Sequence, residues 1–103
     1  MRDFIINHRI AKCEHAGAVV KYDSHSSIVT AVYPVGRVIP LDYCNDWSIT
    51  EPLTVKYNVS LELCEGGYNY RAEIKGSKIG KETHPNECKA AAMVIAKYVE
   101  RMF

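Results

Sequence analysis

The side chains in this chain best suited to nucleophilic or soft-metal chemistry are four cysteines, at 13, 44, 64 and 88, and four histidines, at 8, 15, 25 and 84. Cys88 follows His84 by one helical turn, near the start of an expected helix. There a helix dipole and a neighbouring base can lower a thiol's pKa. The same Cys88 lies on the apolar stripe of that helix, and a cysteine so placed is most simply a small buried hydrophobe. Cys13 and His15 are two residues apart and would share a strand face; with His8 and His25 they come nearest to a zinc ligand set. Zinc takes four ligands, normally offered as compact pairs, and the chain has no C-x-x-C. Surface histidines and a half-buried cysteine are the simpler reading. No paired carboxylates, G-x-S-x-G or phosphate-cradling loop is present. The expectation is a non-catalytic protein with no metal and no cofactor.

Two groups of residues could bind rather than react. Tyr43, Asp46 and Trp47 stand in an aromatic and polar loop with Asp42 and Asn45. Tyr and Trp are frequent anchors in protein interfaces. The competing reading is that Trp47, the single tryptophan, closes the end of the core. The second group is cationic: Arg71, Lys75, Lys78 and Lys81, the residues an RNA surface would draw on, with Lys89 behind them. Lys56, Glu62, Arg71, Glu73 and Lys75 have mixed sign, as expected of a solvated strand face whose charges pair across strands.

The elements that must position these groups are clearest after Pro52. Leu53 to Cys64 alternates, with Val55, Tyr57, Val59, Leu61 and Leu63 on one face. Tyr68, Tyr70, Ala72 and Ile74 repeat the pattern, a period of two that marks strands with one buried face. Glu65-Gly66-Gly67 closes the hairpin, since glycines tolerate the positive φ of tight turns. Gly76 to Gly80 forms a further turn or short third strand. Thr83-His84-Pro85 then opens a helix, with threonine as cap and proline in the first turn. Cys88, Ala91, Ala92, Ile95, Tyr98, Val99 and Met102 follow helical spacing along it.

The first half is less patterned. Residues 1–12 fit a strand or a short helix, with strand preferred. Gly17–Tyr22 and Ser27–Tyr33 are rich in β-branched and aromatic residues and predict a hairpin around Asp23-Ser24-His25-Ser26. Arg37-Val38-Ile39 predicts a short edge strand before Pro40, and 41–52 a loop or one helical turn. The fold class expected is α+β. An antiparallel sheet of about five or six strands would carry the C-terminal helix on one face, in a single domain over 1–103, with a β-rich half over 1–52 and a hairpin plus helix over 53–103.

Net charge is +1, with 48% hydrophobic and 24% charged residues. Residues 53–103 hold eight basic and six acidic groups and residues 1–52 five and six, so neither half is a basic arm. Proteins held on nucleic acid by phosphate contacts carry a stronger positive bias. No apolar stretch approaches the roughly 20 residues needed to span a membrane. The scattered cysteines and the short apolar run at the start predict a cytoplasmic protein with reduced thiols.

Tyr68-Asn69-Tyr70-Arg71-Ala72-Glu73-Ile74-Lys75-Gly76-Ser77-Lys78-Ile79-Gly80, followed by Glu87-Cys88-Lys89-Ala90-Ala91-Ala92, resembles the later part of a double-stranded-RNA-binding domain. In that family an aromatic-initiated strand ends in two spaced glycines and an alanine-rich helix follows; Tyr57 stands where its first strand has a tyrosine. The resemblance covers about half of the chain. It implies a β-β-β-α scaffold and, as phosphate contacts, Lys78, Lys81 and Lys89. The family reads A-form RNA through a first helix, a loop after the first strand and lysines opening the second helix. Here the loop is Cys64-Glu65-Gly66-Gly67, the helix opens with His84-Pro85-Asn86-Glu87, and no first helix is evident upstream. The strand, Gly-Gly turn, strand and threonine-capped helix also resemble HicB-type antitoxin domains, which occlude a partner toxin; the proline-glycine-cysteine turn usual there is absent. The function expected is a small binding module directed at a protein, as regulator or inhibitor, with RNA binding as the alternative. Exposed strand edges also allow a homodimer.

Overall fold

The computed structural model describes residues 2–22 and 25–102. Their order is α1 (Asp3–Glu14), β1 (Val19–Tyr22), β2 (Val29–Val32), β3 (Val38–Leu41), α2 (Trp47–Lys56), β4 (Val59–Leu63), β5 (Tyr70–Ile74), β6 (Glu82–His84) and α3 (Glu87–Met102). The fold is α+β, as expected. The six strands form two antiparallel sheets of three, β1-β2-β3 and β4-β5-β6, rather than one. A helix followed by a three-stranded meander thus occurs twice, and α3 closes the chain.

Residues 3–14 form a helix, not the strand preferred from sequence. Its buried residues are Ile6, Asn7, Ile10 and Ala11, a helical stripe in which one member is polar. Asn7 obscures the stripe in the sequence and secures it in the fold. Its Nδ2 donates to the Ser27 carbonyl at 2.8 Å and to Asp42 Oδ1 at 3.1 Å, and its Oδ1 accepts from Cys44 N at 3.3 Å.

The predicted first hairpin is β1–β2, paired from Val19↔Val32 to Tyr22↔Val29. Of its turn, Asp23 and Ser24 lie outside the described residues. The turn to β3 has Pro34 leading and Gly36 at φ 86°, a left-handed conformation that costs glycine least.

The segment 41–56 departs furthest from expectation. Asp46 caps α2 by accepting from Ser48 N at 3.1 Å, and the helix runs through Pro52 to Lys56. Proline inside a helix removes a donor and usually marks an end, so it conceals α2 in the sequence. The strand predicted from Leu53 therefore begins at Val59. Val55, expected on the buried strand face, is 80% exposed on the helix. Asn58, at φ 58°, makes the break, in a conformation asparagine tolerates better than most residues.

The helix start moves too. Thr83 and His84 belong to β6, and the α3 cap is Asn86, whose Oδ1 accepts from Lys89 N at 3.2 Å. Of the predicted stripe of α3, Cys88, Ala91, Ala92, Ile95 and Val99 are buried, Tyr98 is half-buried and Met102 is exposed. Ala90, Val94 and Ala96 are buried as well, because α3 packs against α1, α2 and the second sheet at once. Alanines at 90, 91, 92 and 96 permit that close approach. One core joins Ile6 and Ile10 of α1, Val29, Ala31 and Leu41 of the first sheet, Ala72 and Ile74 of the second, and Ile95 and Val99 of α3.

Candidate interaction surface

The two sheets differ in what they turn outward. In β1-β2-β3, Val20–Ala31–Ile39 and Tyr22–Val29–Leu41 are the cross-strand rows that face α1, and Val29, Ala31 and Leu41 are buried. The opposite face carries Val19–Val32–Val38 and Lys21–Thr30–Pro40. Val19 is 61% and Val38 58% exposed, so no described element covers this face. Val35, in the adjoining turn, is 89% exposed and extends the apolar surface beyond the strands. Lys21 is the single charged residue in those two outer rows.

The edges of this sheet are unequal. Tyr33 N donates to the Arg37 carbonyl at 2.8 Å, which makes 33–37 a hydrogen-bonded pair. Antiparallel pairs alternate, so Thr30–Pro40 is a non-bonded pair and Pro40 turns its ring nitrogen to the free edge of β3. That edge lacks a donor. By the same alternation β1 bonds β2 through Val19 and Lys21, and its free edge offers the N–H and C=O of Val20 and Tyr22. Phe4 stacks on Tyr22 with ring centroids 5.4 Å apart, and His8 meets the same ring edge-on at 5.0 Å. Burial there, with Lys12 nearby, lowers the His8 pKa.

The outer face of β4-β5-β6 is polar. Ser60, Glu62, Arg71, Glu73 and Lys81 line a shallow depression. Arg71 pairs with Glu62 across strands, and Lys81 with Glu73 at 3.3 Å. Lys89 binds Asp3 of α1 at 2.6 Å, and the carboxylate raises its pKa against the opposing effect of burial. Lys75 and Lys78 lie on the exposed turn after β5 with no carboxylate partner among the described residues. The five cations singled out in the sequence therefore do not form one patch. Two are paired on a sheet, two stand at its end, and one ties α3 to α1.

The aromatic loop is also divided. Tyr43 is 2% exposed and its side chain belongs to the core rather than to a surface. Its carbonyl accepts from Thr50 Oγ1 at 2.6 Å and from the Cys88 thiol at 3.1 Å. Burial raises the Tyr43 pKa. Asp46 is exposed as the α2 cap and Trp47 is half-buried, so these two alone of the three reach solvent.

Of the four thiols, Cys44 and Cys88 are buried and Cys13 and Cys64 half-buried. Burial above all raises the Cys88 pKa, only partly opposed by the Thr50 hydroxyl. His84 does not serve Cys88: its Nδ1 accepts from Asn86 N at 2.9 Å. Burial, Asp3 and Asp42 push Cys44 up to about 12. His15 Nδ1 is bonded to the Tyr33 hydroxyl at 2.6 Å, and Cys13 Sγ lies 3.5 Å from the Tyr57 hydroxyl. Among the described residues no three His, Cys, Asp or Glu side chains converge as a metal site.

Sequence reading passed over Val19, Val32, Val38 and Pro40. The signal was available: Val29-Thr30-Ala31-Val32 is apolar or β-branched on both faces, whereas Ser60 and Glu62 interrupt the apolar residues of β4. No protein-family model, curated protein or solved structure matches the chain. No helix among the described residues is long and apolar enough to cross a membrane.

Proposed function

We propose that the chain is a small non-catalytic module that binds another protein, as a regulator or inhibitor, through the β1-β2-β3 sheet. The observation that carries this reading is the uncovered valine and proline face of that sheet beside an unblocked β1 edge. Such a surface suits a partner that adds an apolar strand to β1 and lays side chains over Val19, Val32 and Val38. Main-chain bonds along an edge supply affinity, and the valine row selects apolar partner residues.

The RNA reading draws support from another observation. From α2 to α3 the order is helix, three antiparallel strands, helix, which is the order of the double-stranded-RNA-binding domain the sequence resembles. Against it stand the paired states of Arg71, Lys81 and Lys89 and the glutamate in the short β4–β5 loop. Phosphate contacts at the first three positions would compete with carboxylates already in place.

The test compares immobilised wild type with Val38→Glu and with Glu62→Lys on the other sheet, alongside a duplex-RNA titration. The expected result is a stoichiometric protein partner retained by wild type and Glu62→Lys and released by Val38→Glu, with no duplex binding at low salt. Equal retention by all three, or salt-sensitive duplex binding, overturns the proposal.

A further inference from the structure

A second surface, remote in chemistry from the valine face, lies where the turn after β5 meets the end of α3. The half-buried Ile79 and Tyr98 give an apolar floor to a groove of about 320 Å³, which the exposed Met102, Lys78 and Arg101 also line. The groove is preformed. Gly76 turns the chain at φ 81°, Ser77 N donates to the Ile74 carbonyl at 3.3 Å, and Ile79 N donates to Ser77 Oγ at 3.2 Å. Tyr98 is held from behind by Tyr57, with ring centroids 5.6 Å apart.

The charge around this groove is one-sided. Three carboxylates of the strands and helix that frame it are engaged elsewhere: Glu73 with Lys81, Glu82 with Lys97, and Glu100 with Arg9. Lys75, at the start of the turn, Lys78 and Arg101 have no carboxylate partner among the described residues. Arg101 suits the negative end of the α3 dipole, but Lys75 and Lys78 have no such role. An apolar floor beneath uncompensated cations is complementary to an acidic, amphipathic peptide: one apolar side chain on Ile79 and Tyr98, flanked by carboxylates for Lys78 and Arg101. A nucleic-acid backbone would satisfy the cations and leave the apolar floor wet.

We infer that the groove between the β5–β6 turn and the α3 C-terminus binds an acidic amphipathic segment of a protein partner. The choice of occupant rests on the protein-directed reading above; the site itself does not use the valine face. The probe is a fluorescein-labelled peptide in which single leucines alternate with pairs of glutamates, followed by anisotropy at low and moderate salt. Controls are the same peptide with lysine for glutamate, and duplex RNA as competitor. The peptide should bind wild type and Val38→Glu alike, and Lys78→Gln with Arg101→Gln should weaken it about tenfold or more, as expected for two charge-assisted contacts. Met102→Glu, which places a carboxylate on the exposed lining beside Lys78 and Arg101, should do the same. No binding of the acidic peptide, unchanged affinity in these variants, or full displacement by duplex RNA overturns the inference. Loss with Val38→Glu alone would return the peptide to the valine face.

Discussion

Asn7 shows how much one polar side chain can decide. It and Thr50 are the buried polar residues among those described, and both serve main-chain groups of the 41–46 turn. Replacing Asn7 by leucine keeps the number of side-chain heavy atoms but adds bulk to a fully buried site and strands the Cys44 N–H and the Ser27 carbonyl. A buried group left without its partner costs about 1–3 kcal/mol. Asn7→Leu should therefore lose about 2–4 kcal/mol in urea denaturation, although leucine is the better helix former. A stabilised variant would mean that water reaches this site. The cysteines make a second residue-scale case. Cys44 and Cys88 are buried with raised pKa values, whereas Cys13 and Cys64 are half-buried. Alkylation of the native protein, followed by mass spectrometry, should modify Cys13 and Cys64 first and Cys88 only on unfolding. Rapid alkylation of Cys88 would reopen thiol chemistry at the α3 start.

At the scale of elements, strand β1 carries the clearest expectation. Its outward N–H groups belong to Val20 and Tyr22, and nothing on β1 plays the blocking part that Pro40 plays on β3. A second copy can therefore pair there by strand addition. Two-fold pairing through Val20↔Val20 sets Lys21 against Val19 of the partner copy and avoids opposed lysines, which are unfavourable directly across strands. Sedimentation at high protein concentration should detect this dimer, and Val20→Pro should abolish it. That substitution removes an N–H the sheet itself does not use, so the monomer should remain folded by circular dichroism. A wild type that stays monomeric would leave the edge to other partners. The same scale explains what the sequence could disclose. β5 and the stripe of α3 were legible because their apolar residues repeat cleanly against polar ones, and the first hairpin because β-branched and aromatic runs flank a polar turn. α1 and α2 were not, because each breaks the rule that reveals helices: a polar Asn7 sits inside one stripe and Pro52 inside the other body. The valine face was legible in composition but not in consequence, since apolar residues on both faces of a strand usually mean cover on both faces. The cross-strand pairing of Arg71 with Glu62 was legible in the mixed charges of that face, whereas the pairing of Lys89 with Asp3 joins α3 to α1, which no local pattern contains.

At the scale of the molecule, the two helix-and-meander halves are parts of one core rather than neighbours. The protein is drawn out to 47 × 28 × 21 Å, yet its radius of gyration is 13.6 Å, close to the ~13 Å of a compact chain of about 100 residues. The link is α3. It contacts α1, which covers the first sheet, and also α2 and all three strands of the second. Ile95 is fully buried in that shared region, within the cluster that holds Val29 and Ala31 on one side and Ala72 and Ile74 on the other. Truncating it to alanine removes side-chain burial and leaves a cavity that neither sheet alone can close, a loss of about 2–5 kcal/mol. Native-state amide exchange reads both sides at once, through Ala31 in the central strand of the first sheet and Ala72 in that of the second. In the wild type the two amides should exchange with the same opening free energy, and Ile95→Ala should lower both by the same amount. If Ala72 loses protection while Ala31 keeps it, the halves unfold separately. The valine face would then belong to a unit able to stand without α3.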